Sequence, residues 1–223
     1  MDDKTDYSCD LFKPLELLGN PDPRSILTKR TKEIEKMHEH ISQFSLSDEV
    51  PIDVRIKFDT ARNLYIYSWY VYRFTNIAEH QLFICLEFGL RELLLEELPM
   101  EYKNRHGDTS IEKLLRYIVD SRYLKSEDFK RYQHRVRKNA ESRYKQTKYE
   151  EMDEKGLNEI TYNLKGAMIS EEDHFDFFEP LIKYIRYFRN EYAHGSTMLF
   201  GNITSTFEDV SEILNSVYSR KKG

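Results

Sequence analysis

Two cysteines in 223 residues are too few to staple a fold, and no Cys-x-x-Cys pair is present. Neither a disulfide framework nor a thiolate metal knuckle is therefore expected. Cys9 sits in a polar N-terminal tail and Cys85 inside an apolar run. Glycine, at 8, and proline, at 6, are scarce, whereas a many-stranded β protein needs that turn chemistry at short intervals. No apolar run approaches the ~18–20 residues that cross a bilayer. The opening "MDDKTDYSCD" is acidic and has no apolar segment, so no secretory leader and a cytoplasmic location are expected. Positive charge is not in excess either: the net charge is −5. Any affinity for a polyanion must come from a local patch rather than from the chain as a whole.

What remains is a helical vocabulary. The chain is 39% hydrophobic and 33% charged, with 16 tyrosines and 13 phenylalanines to supply core bulk. Disordered chains have few aromatics, and long segments of Leu, Glu, Lys, Arg and Tyr predict an all-α fold. The length suits one large domain, or one domain with an extension. Residues 1–50 read as a tail followed by an amphipathic helix. Its stripe is Leu27, Ile34, Met37, Ile41 and Phe44, between Ser25 and Phe44. Residues 51–220 read as a helical domain with a charged insertion at about 126–170.

Within that domain, "FDTARNLYIYSWYVYRF" (58–74) has strand propensity, but no strand partner follows it, and it is read as helix. "IAEHQLFICLEFGLRELLLEEL" (77–98) places Leu82, Leu86, Gly89, Leu90 and Leu93 on one face, and Pro99 ends it. Thr109 and Glu112 form a T-x-x-E capping box before Leu114, Leu115, Ile118 and Val119. Residues 126–156 suit a helix or a flexible arm. Residues 171–194 return to a helical pattern, with Pro180 in the first turn, Gly195 past the last, and Leu181, Ile185, Phe188 and Tyr192 on one face. Ser205 and Glu208 form a second capping box ahead of Phe207, Val210, Leu214 and Val217.

The helix that carries Leu181 and Ile185 ends in "RNEYAHG", residues 189–195. Arg is always charged, and its fork matches phosphate oxygens. His exchanges protons near neutral pH. Taken alone, an Arg five residues before a His is a polar helix end. Arg189 and His194 lie roughly 140° apart around a regular helix, while Asn190 and His194, four apart, can share a face.

The surroundings add more. "RNEYAHG" at the end of an aromatic amphipathic helix resembles the Arg-x(4–6)-His signature of the HEPN (higher eukaryotes and prokaryotes nucleotide-binding) family. Asn190 directly after Arg189 is the usual form of that signature. The 77–98 segment is similar to the family's Leu-Glu-x-x-Leu-Arg helix, "SIEKLLRYIV" to the short helix after it, and "STFEDVSEILNSVY" to its closing helix. The likeness covers roughly residues 58–220 and excludes 126–170 and the first 50 residues. It implies an up-down helical bundle that dimerises so that two Arg/His sets line one cleft. It also implies a metal-independent endoribonuclease with no cofactor, often a toxin or anti-phage defence effector with a cognate antitoxin or defence-system partner. Arg189 and His194 then take the catalytic places, and Asn190 supports them. Glu79 and Glu87, eight apart on one helix face, either approach the motif or form a solvated or salt-bridged edge. Relatives regulated by nucleotidylation carry a Tyr two residues after the His, and here that position is Ser196.

Between Lys130 and Lys148 there are eight Lys or Arg and one acid, Glu141, with Tyr132 and Tyr144 interleaved. Basic side chains contact phosphates and aromatics stack on unpaired bases. Arg135, Arg137, Lys138, Arg143 and Lys145 are the candidate RNA contacts. The alternative is a solvated charged helix face. No cluster of acids, His or Cys has metal-ligand spacing, and His38 and His40, two apart, do not share a helix face. A metal site is thus not expected. The competing function is a catalytically inactive module that binds nucleotide, RNA or a protein partner.

Overall fold

The computed structural model describes residues 10–28, 33–195 and 197–222. Cys9 and Ser196 lie outside the described residues. The fold is all-α, with eight α-helices and no strand among the described residues. They are α1 (Pro23–Thr28), α2 (Ile34–Ser42), α3 (Ile52–Tyr67), α4 (Phe74–Leu94), α5 (Ile111–Asp120), α6 (Lys130–Glu154), α7 (Phe178–Ala193) and α8 (Thr204–Lys222). The chain divides into two compact units. The larger runs to Leu124 and resumes at Ile182, and the smaller is Lys125–Leu181.

The larger unit is organised on α4, which is apolar nearly all round and so must be covered on more than one side. Ala78, Leu82, Phe83, Cys85, Leu86, Leu90 and Leu94 are all fully buried. Helices α3, α5 and α8 pack against it. Gly89 permits the approach: a Cβ there would stand 2.9 Å from Leu214 Cδ2 on α8 and 3.1 Å from Val54 Cγ1 on α3. The α8 stripe is as its period predicts, since Phe207, Val210, Leu214 and Val217 are all fully buried.

Several boundaries differ from the sequence expectation, each for a local reason. The 58–74 helix starts earlier, at Ile52 after Pro51, and stops at Tyr67. A turn follows in which Trp69 and Tyr72 are buried. The Ser25–Phe44 stripe is two helices, and only Met37 and Ile41 of α2 are buried, while Leu27 is exposed. Helix α1 is held by polar groups instead. The buried Asp22 takes the Arg24 guanidinium, Asp22 N–H donates to Trp69 O (2.9 Å), and Ser25 Oγ donates to Ser68 O (2.7 Å). The cap of α5 is Ser110, which accepts from Lys113 N, while Thr109 Oγ1 donates to Tyr102 O at 2.7 Å. Helix α8 begins at Thr204, one residue before the expected cap, and Asn202 Oδ1 accepts its N–H at 2.9 Å.

The smaller unit is built on α6, so the charged insertion is a helix rather than a flexible arm. Its apolar side is Phe129, Tyr132, Val136 and Ala140, all buried, with Phe177 against Phe129. Its polar side is pinned by Asp173, which is 2% exposed and takes both Nε (3.1 Å) and Nη2 (2.8 Å) of Arg143.

Candidate functional site

Helix α7 presents different groups on different sides. Leu181, Ile182 and Ile185 are buried, and Phe188 and Tyr192 are half-buried. Gly195, at φ +87°, stops the helix in the left-handed region that glycine enters without a Cβ clash. His194 therefore lies just past Ala193, exposed, with its N–H donating to Asn190 O at 3.0 Å.

Arg189, Asn190 and Arg186 line a polar cleft of about 230 Å³ with Glu87, Arg91, Glu112 and the capped start of α5. Its ion pairs alternate in sign. Glu87 Oε1 takes Arg91 Nη2 at 2.8 Å and its Oε2 takes Arg189 Nε and Nη2 at 3.2 Å. Glu112, free of the capping role, takes Arg116 and Arg186, each at 3.1 Å. The Glu87 side chain is 13% exposed and Arg189 is 37% exposed. One carboxylate thus fixes the guanidinium while part of the guanidinium still meets solvent, where it could hold an anion as a fork. Three arginines face two glutamates in the cleft, and the α5 N-terminus adds backbone N–H dipoles of the same sign.

No protein-family model, curated protein or solved structure matches the chain. The site therefore stands on its own geometry, and that geometry separates the motif. Arg189 and Asn190 are cleft residues, whereas His194 is at the exposed helix end and does not line that cleft.

The two acidic candidates on α4 play different parts. Glu87 reaches the motif directly. Glu79 is no solvated edge: it is fully buried, and its carboxyl accepts three hydroxyls. Tyr184 Oη and Thr206 Oγ1 donate to Oε1 at 2.7 and 2.6 Å, and Tyr192 Oη donates to Oε2 at 2.6 Å. Burial first, and Glu79 second, push both phenols well above the ordinary tyrosine range. This carboxyl anchors the motif helix to α4 and α8 from inside.

His80, beside Glu79, was not singled out by the sequence. It stands seven residues before Glu87, two helical turns along the same face, a spacing that places it near the motif helix once Glu87 is placed there. Its ring lies 6.1 Å from that of Tyr192. Burial first, and the charge of Arg189 second, lower its pKa from the ordinary histidine value. A neutral imidazole is favoured there. His80 and Tyr192 share a second cavity of about 230 Å³ with Gly195, the residue after His194.

The basic candidates on α6 divide. Arg137 gives Nη1 to Ala167 O (2.8 Å), Nη2 to Leu164 O (2.9 Å) and Nε to Glu141 (3.1 Å). Arg143 is bound to Asp173 and to Met168 O. Both hold the loop that returns beneath their own helix. Arg135 and Lys138 are exposed, and Lys145 is half-buried. No group of three or more His, Cys, Asp or Glu is arranged to hold a metal ion among the described residues. No described helix is long and apolar enough to cross a membrane.

Proposed function

We propose that the chain is an endoribonuclease of the Arg-x4-His kind that cleaves RNA through its own 2′-hydroxyl. The observation that carries this reading is the Arg91–Glu87–Arg189 brace, which holds a half-exposed guanidinium at a polar cleft five residues before an exposed histidine. In the proposed reaction the 2′-oxygen attacks the adjacent phosphorus as a histidine takes its proton. Arg189 stabilises the charge on the non-bridging oxygens, and the bond to the 5′-oxygen breaks as that oxygen is protonated. The products are a 2′,3′-cyclic phosphate and a 5′-hydroxyl. Two proton transfers call for two groups, and pairing the α7 ends of two protomers would supply His194 twice. Ile84 and Phe88 on α4, and Tyr184 and Tyr187 on α7, are exposed apolar side chains suited to such an interface. The resemblance extends the proposal to a toxin or anti-phage role with a cognate inhibitor.

The competing reading is an inactive module binding nucleotide, RNA or a protein through the same cleft. It draws on Glu87, which neutralises part of the Arg189 charge. Cleavage of a mixed RNA panel in EDTA separates the two. Arg189→Ala and His194→Ala should each lose ~10²-fold or more in rate, the scale for losing a charge-stabilising or acid/base group. Both should remain folded, because neither side chain is buried. DNA should resist. Full activity in His194→Ala, or cleavage that EDTA abolishes, would overturn the proposal.

A further inference from the structure

The second cavity has walls of a different kind from the arginine cleft. Ile77 of α4, Leu199 and the Tyr192 ring are its apolar surfaces, and the His80 imidazole, Asn76 and Arg73 are its polar ones. The walls are fixed. Tyr192 has its hydroxyl engaged by Glu79 at 2.6 Å, and Phe83 lies stacked against its ring at 6.4 Å and 16°. Asn76 holds the segment carrying Leu199, accepting Phe200 N–H at 3.2 Å and donating to Met198 O. Asp10 holds the Arg73 guanidinium at 2.9 Å. Tyr192 thus offers a ring and no free hydroxyl, and His80 offers one donor and one acceptor.

We infer that this cavity takes a single nucleobase, the one attached to the phosphate held at Arg189. The inference rests on the RNA reading above and adds where the base goes. Size suits the occupant: about 230 Å³ is small beside the ~300–1,000 Å³ of ordinary small-molecule pockets, room for one ring system with the rest of a nucleotide outside. Chemistry selects it, since an aromatic face with apolar flanks stacks on any base, and a neutral imidazole can meet the mixed donors and acceptors of a base edge. Continuity places it. Arg189 stands three residues before the cavity's Tyr192 on α7, and Gly195 links the cavity wall to His194.

The test compares adenosine and uridine 5′-monophosphate with ribose 5-phosphate, which has the same phosphate and sugar and no base. Binding is followed by NMR on the whole chain. The nucleotides should bind roughly 5- to 150-fold more tightly than ribose 5-phosphate, the range for stacking one base. His80→Ala and Ile77→Ala should erase most of that ratio and leave ribose 5-phosphate binding unchanged. Ile77 is 49% exposed, so its variant isolates the wall from folding. Arg189→Ala should weaken all three ligands together. Equal affinity for nucleotides and ribose phosphate in the wild type, or a ratio that survives both wall variants, overturns the base pocket. A chain that shows the base-dependent ratio and cleaves no RNA keeps the pocket and loses the nuclease; one that cleaves RNA without the ratio keeps the nuclease and loses the pocket.

Discussion

Helices α6 and α7 are both rich in arginine, and they use it in different ways. On α6, Arg137 and Arg143 reach the carbonyls of Leu164, Ala167 and Met168 and the buried Asp173. Their charge is absorbed by the fold of their own unit. On α7, Arg186 and Arg189 meet only carboxylates that other arginines share, Glu112 and Glu87, at the edge of an open cleft. A count of basic residues favours α6 as the polyanion surface. The partners favour α7, because a cation bound to backbone carbonyls has little left to offer a phosphate, whereas one of three guanidiniums facing two carboxylates does.

The largest expected effect tests what anchors α7. Glu79→Ala removes the buried carboxyl that accepts three hydroxyls, the buried one of Thr206 and the part-buried ones of Tyr184 and Tyr192. It should cost about 3–5 kcal/mol, the scale for breaking a buried polar cluster. At this chain length that lowers Tm by roughly 6–20 °C, read by calorimetry. A shift under about 2 °C would mean that α7 is held by its apolar face alone.

The next effect sets the two helices directly against each other. Arg189→Ala should lose ~10²-fold in RNA cleavage with an unchanged fold. Arg143→Ala should leave the cleavage rate at saturating RNA unchanged and loosen the Lys125–Leu181 unit, seen as faster amide exchange along α6. The Arg143–Asp173 pair also gives that unit an acid limit. The Arg143 guanidinium holds the Asp173 carboxyl below the usual carboxylate range. A folded-state pKa lowered in this way stabilises above the unfolded value of ~3.9, and that contribution is lost as pH falls below it. Circular dichroism of α6 between pH 5 and 2 should show the loss, and Arg143→Ala should reduce its pH dependence, the Ser170 N–H and hydroxyl still bonding Asp173.

A smaller effect falls on the cations that α6 leaves exposed. Arg135→Ala with Lys138→Ala should weaken RNA binding and flatten the slope of log affinity against log salt by about 0.7 for each phosphate left without its cation. An unchanged slope would make all of α6 structural and complete the contrast with α7.

The smallest effect is a titration. His80 should titrate below the ordinary ~6.5, because burial and Arg189 both disfavour its charged form. Arg189→Ala should raise its midpoint only part of the way, since burial is the larger cause. The sign follows for stability: the unfolded chain protonates first as pH falls, so His80 weakens folding below about pH 6.5. Arg73 and the Tyr192 ring, which line the same cavity, remain in that variant. An NMR midpoint that ignores Arg189→Ala would separate His80 from the motif.

Helix identity was legible where a period of 3.6 ran into a core, as in α4, α5, α7 and α8. The α5 cap was legible to within one residue, because Thr109 and Ser110 offer the same oxygen chemistry in neighbouring positions, whereas at α8 the oxygen that takes the first N–H is on Asn202, three residues before the expected Ser205. Arg189, Asn190 and the exposed His194 were visible as a motif. The role of Glu79 was not, because its three donors lie 105, 113 and 127 residues along the chain, beyond the reach of any helical spacing. His80 went unseen for the same reason: its neighbours Tyr192 and Arg189 are brought to it by tertiary packing. The carbonyl partners of the candidate RNA contacts Arg137 and Arg143 were not legible, because they belong to an irregular segment with no pattern of its own.

The burial of Cys85 makes the α3–α4 contact a clock. Its thiol is fully buried, donates to Val54 O at 3.4 Å, and is pushed by burial up to about 12. A thiolate is the reactive form, so a maleimide at neutral pH meets an inert sulfur until α3 parts from α4. In a Cys9→Ser background, at maleimide concentrations where labelling outpaces reclosing, the labelling rate of Cys85 therefore counts openings of that helix pair.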